Sequence, residues 1–283
     1  MDDVYIVLFK LFGSILILWI LWLFYQSRKR KQLIEKINVM PFPDPYRDTL
    51  HKIPHYGRLP ENDQKKIERN ILYFLESKEF IGNHMEISDE IRVTIAFYAC
   101  LLLLHLDHLN SYGNLKRIIV YPNAMVTEQV RGSSGIYSKE EMVLSGQSAN
   151  DTVVISWHDA KREAYHLRYE NVIIHEFAHE IDYMDGEIDG TPPMMLSHYY
   201  EWSEVMYDEF SKLTNAAVGK EDWGKYKMIG SYAATNEAEF FAVITERFYE
   251  APSVFKRYFP DLYKELQSFY RIDPIIFELP KTV

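Results

Sequence analysis

His175-Glu176-Phe177-Ala178-His179 places two imidazoles four residues apart, with a glutamate beside the first. On a helix, residues at that spacing lie one above the other on a single face, so both rings can address one metal ion. A carboxylate next to such a pair can take a proton from metal-bound water, which is the chemistry of zinc-dependent hydrolysis. The flanking residues must then build a helix with two distinct faces. Val172, Ile173, Ile174, Phe177, Ala178 and Ile181 recur at helical spacing and supply the apolar face; Asn171 is placed to cap it and Gly186 to end it. His175, His179 and Asp182 form a separate stripe at offsets of four and three. The motif helix is expected over about 170–184. A buried helix with two hydrogen-bonded histidines has the same pattern, so the next question is whether a third ligand exists.

A catalytic zinc usually takes three protein ligands and leaves one position for water. Asp185 stands six residues after His179, where some zinc peptidases carry a third ligand beyond a glycine turn. Asp182 occupies that glycine's place, which argues against the turn. The other candidate is Glu239, at the start of a helix whose apolar face includes Phe240, Phe241, Val243, Ile244 and Phe248. If Asn236 is the N-cap, Glu239 is also the N3 residue, where a glutamate commonly caps the helix instead. Spacing leaves ligand and cap both open. Asp182 could orient a ligand or be an ordinary solvated charge. His158, His166 and His198 carry no ligand spacing and are expected to be structural or exposed.

Two segments together carry a more specific signal: Ile173-Ile174-His175-Glu176-Phe177-Ala178-His179-Glu180-Ile181-Asp182, and Tyr232-Ala-Ala-Thr-Asn followed by Glu239-Phe240-Phe241-Ala242-Val243. In these the chain resembles the Mlc titration factor A family of bacterial zinc metallopeptidases. Val120-Tyr121-Pro122, Ser145-Gly146-Gln147-Ser148 and Val154-Ile155-Ser156-Trp157 match more weakly, in the same order. The resemblance implies zinc held by His175, His179 and Glu239, with Glu176 as general base and Tyr232 as a further catalytic residue. It also implies aminopeptidase-like hydrolysis, a zincin-like fold similar to the catalytic domain of anthrax lethal factor, and, as the alternative role, binding and sequestering of a transcriptional repressor. Glu237 departs from the family, which often has proline there. Soluble family members also lack the apolar N-terminal stretch described next.

Val4 to Tyr25 is apolar apart from Lys10, Gly13 and Ser14, and Arg28, Lys29, Arg30 and Lys31 follow at once. The length suits a membrane span, and the basic flank places the body in the cytoplasm, at the cytoplasmic membrane, under the positive-inside rule. A cleaved signal peptide fits less well, because the charges come after the apolar run and no small-residue cleavage site follows. The expected organisation is an anchor with its basic flank over 1–36, an extended proline-containing linker over 37–60, and a metallopeptidase domain over 61–283.

The chain carries a net charge of −10 over 283 residues. Residues 1–36 contribute six basic and three acidic groups, so the body is more acidic still. That argues against nucleic acid as a partner; a peptide or protein substrate is what the family resemblance implies. Cys100 is the single cysteine and is expected in the core. Helices are expected over 61–78, 89–105 with Ser88 as cap, 199–213, 235–250, 252–257 and 260–270, with short strands over 116–121 and 152–157. The fold class is therefore α+β, mostly helical with a small sheet.

Overall fold

The computed structural model describes residues 2–106, 112–123, 151–167 and 169–278. Ser145–Ser148 of the weaker family match lies outside them. The chain divides into two compact units, Met1–Phe42 and Pro43–Val283.

The first unit is helix α1, Asp2–Val39. Its stretch Lys10–Val39 is the one helix among the described residues long and apolar enough to cross a membrane; a signal sequence has the same length and composition. The basic flank Arg28–Lys31 continues the helix.

The second unit begins with α2, Asp44–Lys52. This corrects the extended linker expected over 37–60. Pro43 and Pro45 do not break the helix, because Pro43 is its N-cap and Pro45 lies in the first turn, whose N–H groups have no intrahelical acceptor anyway. Thr49 and Leu50 are buried, and α2 packs on α4. Helix α3 spans Glu61–Ser77 and leads into strand β1, Glu79–Gly82. Helix α4, Asp89–Leu102, is capped by Ser88, whose Oγ accepts the Ile91 N–H. Almost all of its side chains are buried, Cys100 among them.

Strands β2, Arg117–Tyr121, and β3, Thr152–Ser156, complete a three-stranded sheet in the order β1-β2-β3. All neighbours are parallel, with Phe80 opposite Ile118 and Ile119 opposite Val154. Strand β1 went unnoticed in the sequence because four residues alternating exposed and half-buried give almost no pattern.

From β3 the chain passes into α5, Trp157–Ala164, and then into the motif helix α6, Val172–Asp182. Helix α6 packs against α4, β3 and the later helix α8, Glu237–Glu250. Between them come a 3-10 turn at Tyr183–Asp185, α7, Leu196–Ala217, and two further 3-10 turns, Gly224–Met228 and Tyr232–Ala234. Helices α9, Pro252–Tyr258, and α10, Pro260–Tyr270, each begin at a proline.

Of the apolar face expected for α6, Ile173, Ile174, Phe177, Ala178 and Ile181 are fully inaccessible, while Val172 at its start is half-buried. Phe177 meets Phe74 and Tyr112 edge-on, with ring centroids 5.8 and 5.0 Å away. At about 1.5–3 kcal/mol for each large apolar side chain buried, this face fixes both the rotation and the depth of the helix. The opposite stripe is thereby aimed at α8.

Candidate metal centre

Asn171 starts the motif helix by accepting the backbone N–H groups of Ile173 and Ile174 on its side-chain oxygen, each at 3.2 Å. A 3-10 turn at Tyr183–Asp185 extends the end, and Gly186, at φ +102°, terminates it in the left-handed region as glycine allows. His175 and His179 project from the middle of α6. Their Nε2 atoms lie 3.3 Å apart.

Glu239 comes from the first turn of α8. Its Oε2 is 3.1 Å from His175 Nε2 and 3.4 Å from His179 Nε2. Asn236 Oδ1 accepts the backbone N–H of Glu239 at 2.8 Å. The Asn236 cap expected from spacing thus forms on the backbone N–H of Glu239, while the Glu239 side chain turns to the histidines and not back to cap the helix.

The three donors make a near-equilateral triangle. A tetrahedral ion with ligand bonds of about 2.0–2.1 Å sets its ligand atoms about 3.3 Å apart, and the three separations match that spacing. Two imidazoles and a carboxylate are also the ligand set of several catalytic zinc sites. His175, His179 and Glu239 are the one such cluster among the described residues whose donor atoms all fall within 4.8 Å of one another.

The charges around the triangle are strongly coupled. Burial alone would pull the His175 imidazole down, but hydrogen bonds to Glu239 and Glu246 outweigh it and push it up to about 10. Burial would raise the Glu239 carboxyl, yet the two histidines hold it well below the usual carboxylate range. Burial raises Glu176 against the pull of both imidazoles. Tyr232 reaches the site from the 3-10 turn ahead of α8, its ring centroid 6.0 Å from that of His175. Burial and then the Glu239 charge push its phenol above the ordinary value. A cleft of about 1110 Å³ lies beside the site; His175, Tyr232 and Glu246 line it, and His175 is the one donor of the triangle that does.

The remaining candidates separate cleanly. Asp185 is exposed and accepts the Glu187 N–H at 3.1 Å, outside the triangle. His158, His166 and His198 are exposed. Asp182 is fully buried, not a solvated charge. Its Oδ2 accepts the Gly190 N–H at 2.8 Å, so it ties the loop after the motif back onto the helix. Burial outweighs that bond and pushes its carboxyl up to about 6. Its Oδ1 has no partner among the described residues.

Gly190 sits at φ +80°, and a Cβ there would lie 2.5 Å from the carbonyl oxygen of Glu237. The loop therefore passes against the first residue of α8, next to the Glu239 turn. Gly190→Ala is expected to destabilise the protein by about 2 kcal/mol or more. A thermal melt checks this; an unchanged Tm would mean the loop repacks at no cost.

Glu246 is the site residue that sequence reasoning missed. Its Oε1 lies 2.8 Å from His175 Nδ1. The available signal was a glutamate seven residues after Glu239, two turns along the same helix and so on the same face.

Comparison with known proteins places most of the chain in a family. A family model described as "Glucose-regulated metallo-peptidase M90" matches residues 25–271. The chain is 33% identical to "Uncharacterized protein slr2042" of Synechocystis sp. (strain ATCC 27184 / PCC 6803 / Kazusa), over 96% of this chain and 98% of that protein. It is 29% identical to "Mlc titration factor A" of Pectobacterium atrosepticum, over 79% of this chain and 84% of that one. The relative of the same name in Escherichia coli O17:K52:H18 is also 29% identical, over 82% and 87%. A metallopeptidase family implies a divalent metal, and the His-His-Glu triangle offers a place for one. With the family match spanning most of the sequence, this chain belongs to the M90 family of glucose-regulated metallopeptidases.

Proposed function

We propose that this chain is a zinc-dependent peptidase of aminopeptidase type, with zinc held by His175, His179 and Glu239 in the unit Pro43–Val283. The observation that carries the reading is the donor triangle, whose 3.1–3.4 Å edges suit a tetrahedral ion. Zinc, when bound, supplies Lewis acidity that brings the pKa of water toward neutrality and polarises a carbonyl. Glu176, adjacent to His175 on α6, takes the proton from the attacking water and passes it to the leaving amine. Tyr232 donates its hydroxyl to the oxygen on which charge develops. The α1 helix holds the enzyme at a membrane, with Arg28–Lys31 and the acidic body on the cytoplasmic side.

The test is metal analysis of the full chain combined with hydrolysis of short peptides bearing free or acetylated N-termini. Stoichiometric zinc is expected, with cleavage of the free peptide only, lost in a chelator and regained on adding zinc. Full cleavage by the metal-free chain would sink the reading.

The name "Mlc titration factor A" carried by several relatives favours a second role, the binding and sequestering of a transcriptional repressor, with hydrolysis secondary. A pure binder has no need for Glu176, so that residue separates the two readings.

A further inference from the structure

His175 uses both ring nitrogens. Nε2 faces the donor triangle, while Nδ1 lies 2.8 Å from Glu246 Oε1, with His175 and Glu246 both buried. A buried carboxylate is costly unless its oxygens are matched. The second oxygen of Glu246 accepts the backbone N–H of Asn171 at 2.8 Å. Asn171 is the residue that caps α6, and its side-chain amide donates to Glu250 Oε1 at 2.7 Å. Helix α8 thus grips the start of the motif helix at two points one turn apart. Of these two glutamates, Glu246 is the one that reaches His175; Glu250 Oε1 lies 3.7 Å from His55 Nε2 instead.

We propose that Glu246 is a positioning residue of the metal centre, holding the proton of the neutral His175 ring on Nδ1 so that Nε2 presents its lone pair to the metal. This rests on the reading of the triangle as a zinc site. A neutral imidazole carries one N–H, and the hydrogen bond made by one nitrogen decides what the other can do. A carboxylate acceptor also fixes the ring's orientation and strengthens it as a ligand. Glu239 and Glu246 lie seven residues apart on one helix, so a single rigid element sets both the third ligand and the orientation of the first.

Zinc(II) affinity reads this without any turnover. The full chain is stripped of metal and titrated in competition with a chromophoric chelator. Glu246→Gln replaces a charged acceptor by a neutral amide and is expected to weaken zinc binding about 10–100-fold. Glu250→Gln is the control: it disturbs the same helix and its side-chain contact to Asn171 without touching His175, and should leave the affinity close to that of the parent. Equal losses in the two variants, or no loss in Glu246→Gln, overturn the proposal. If Glu246→Gln does not fold, Glu246→Asp takes its place, since it keeps the charge but draws the carboxylate one methylene back from Nδ1. Weakened binding is expected there too, and unchanged binding overturns the proposal. A parent chain that binds no zinc overturns the zinc reading and this inference with it, whereas tight parent binding with an unaffected variant overturns the inference alone.

Discussion

Glu176→Gln is expected to lower peptide hydrolysis by about 10²–10⁴-fold while zinc stays bound, the range by which a positioned general base accelerates proton transfer. Glutamine matches glutamate in shape and occupies the same half-buried position on α6, so packing is left alone. What it loses is the ability to accept a proton and release it. His175, His179 and Glu239 are untouched by the change, and metal content should therefore equal that of the parent. Measuring zinc and turnover on the same sample separates the outcomes. Full hydrolysis with zinc bound would mean that Glu176 is not the base and that the mechanism is wrong. Lost hydrolysis together with every cellular effect of the parent retained would make the binding role the important one.

Glu239→Ala should act one step earlier, on the metal itself. Removing a direct ligand should cost more than the roughly 10–100-fold typical of residues that only support a ligand, so zinc affinity is expected to fall by more than about 100-fold and hydrolysis with it. Two neutral imidazoles would remain, with no carboxylate to balance the charge of the ion. The helix should survive, because Asn236 caps the backbone N–H of residue 239 and not its side chain. That makes the variant a fair test of ligation and not of folding. Asp185→Asn is the companion variant and should leave zinc affinity unchanged, since Asp185 is exposed and bonded to its own turn. A loss in Asp185→Asn with none in Glu239→Ala would reverse the assignment.

Local features of the fold were legible because their causes are local. Asn171, Ser88 and Asn236 each cap the helix they were expected to cap, since a cap needs only a short side chain and an N–H three residues on. The buried face of α6 follows from periodicity alone. Segment 43–52 misled for the opposite reason: its prolines read as extended, but proline is compatible with a helix start, and contact with α4 decides the outcome. Asp182 was ambiguous because a carboxylate on a helix stripe has no sequence mark of burial. Its environment comes from a loop that returns to meet it at Gly190.

The sequence by itself determined that His175 and His179 share a face, that Glu176 stands beside them, and that the apolar stripe occupies a different face of the same helix. Those are properties of one helix and its 3.6-residue repeat. Only the tertiary structure decided that Glu239 and not Asp185 meets the pair, and that Glu246 lies behind His175. Those residues are 64 and 71 positions away from His175 along the chain. What joins them is the packing of α8 on α6, set by which apolar faces fit together across the core, and no spacing within either helix contains that information.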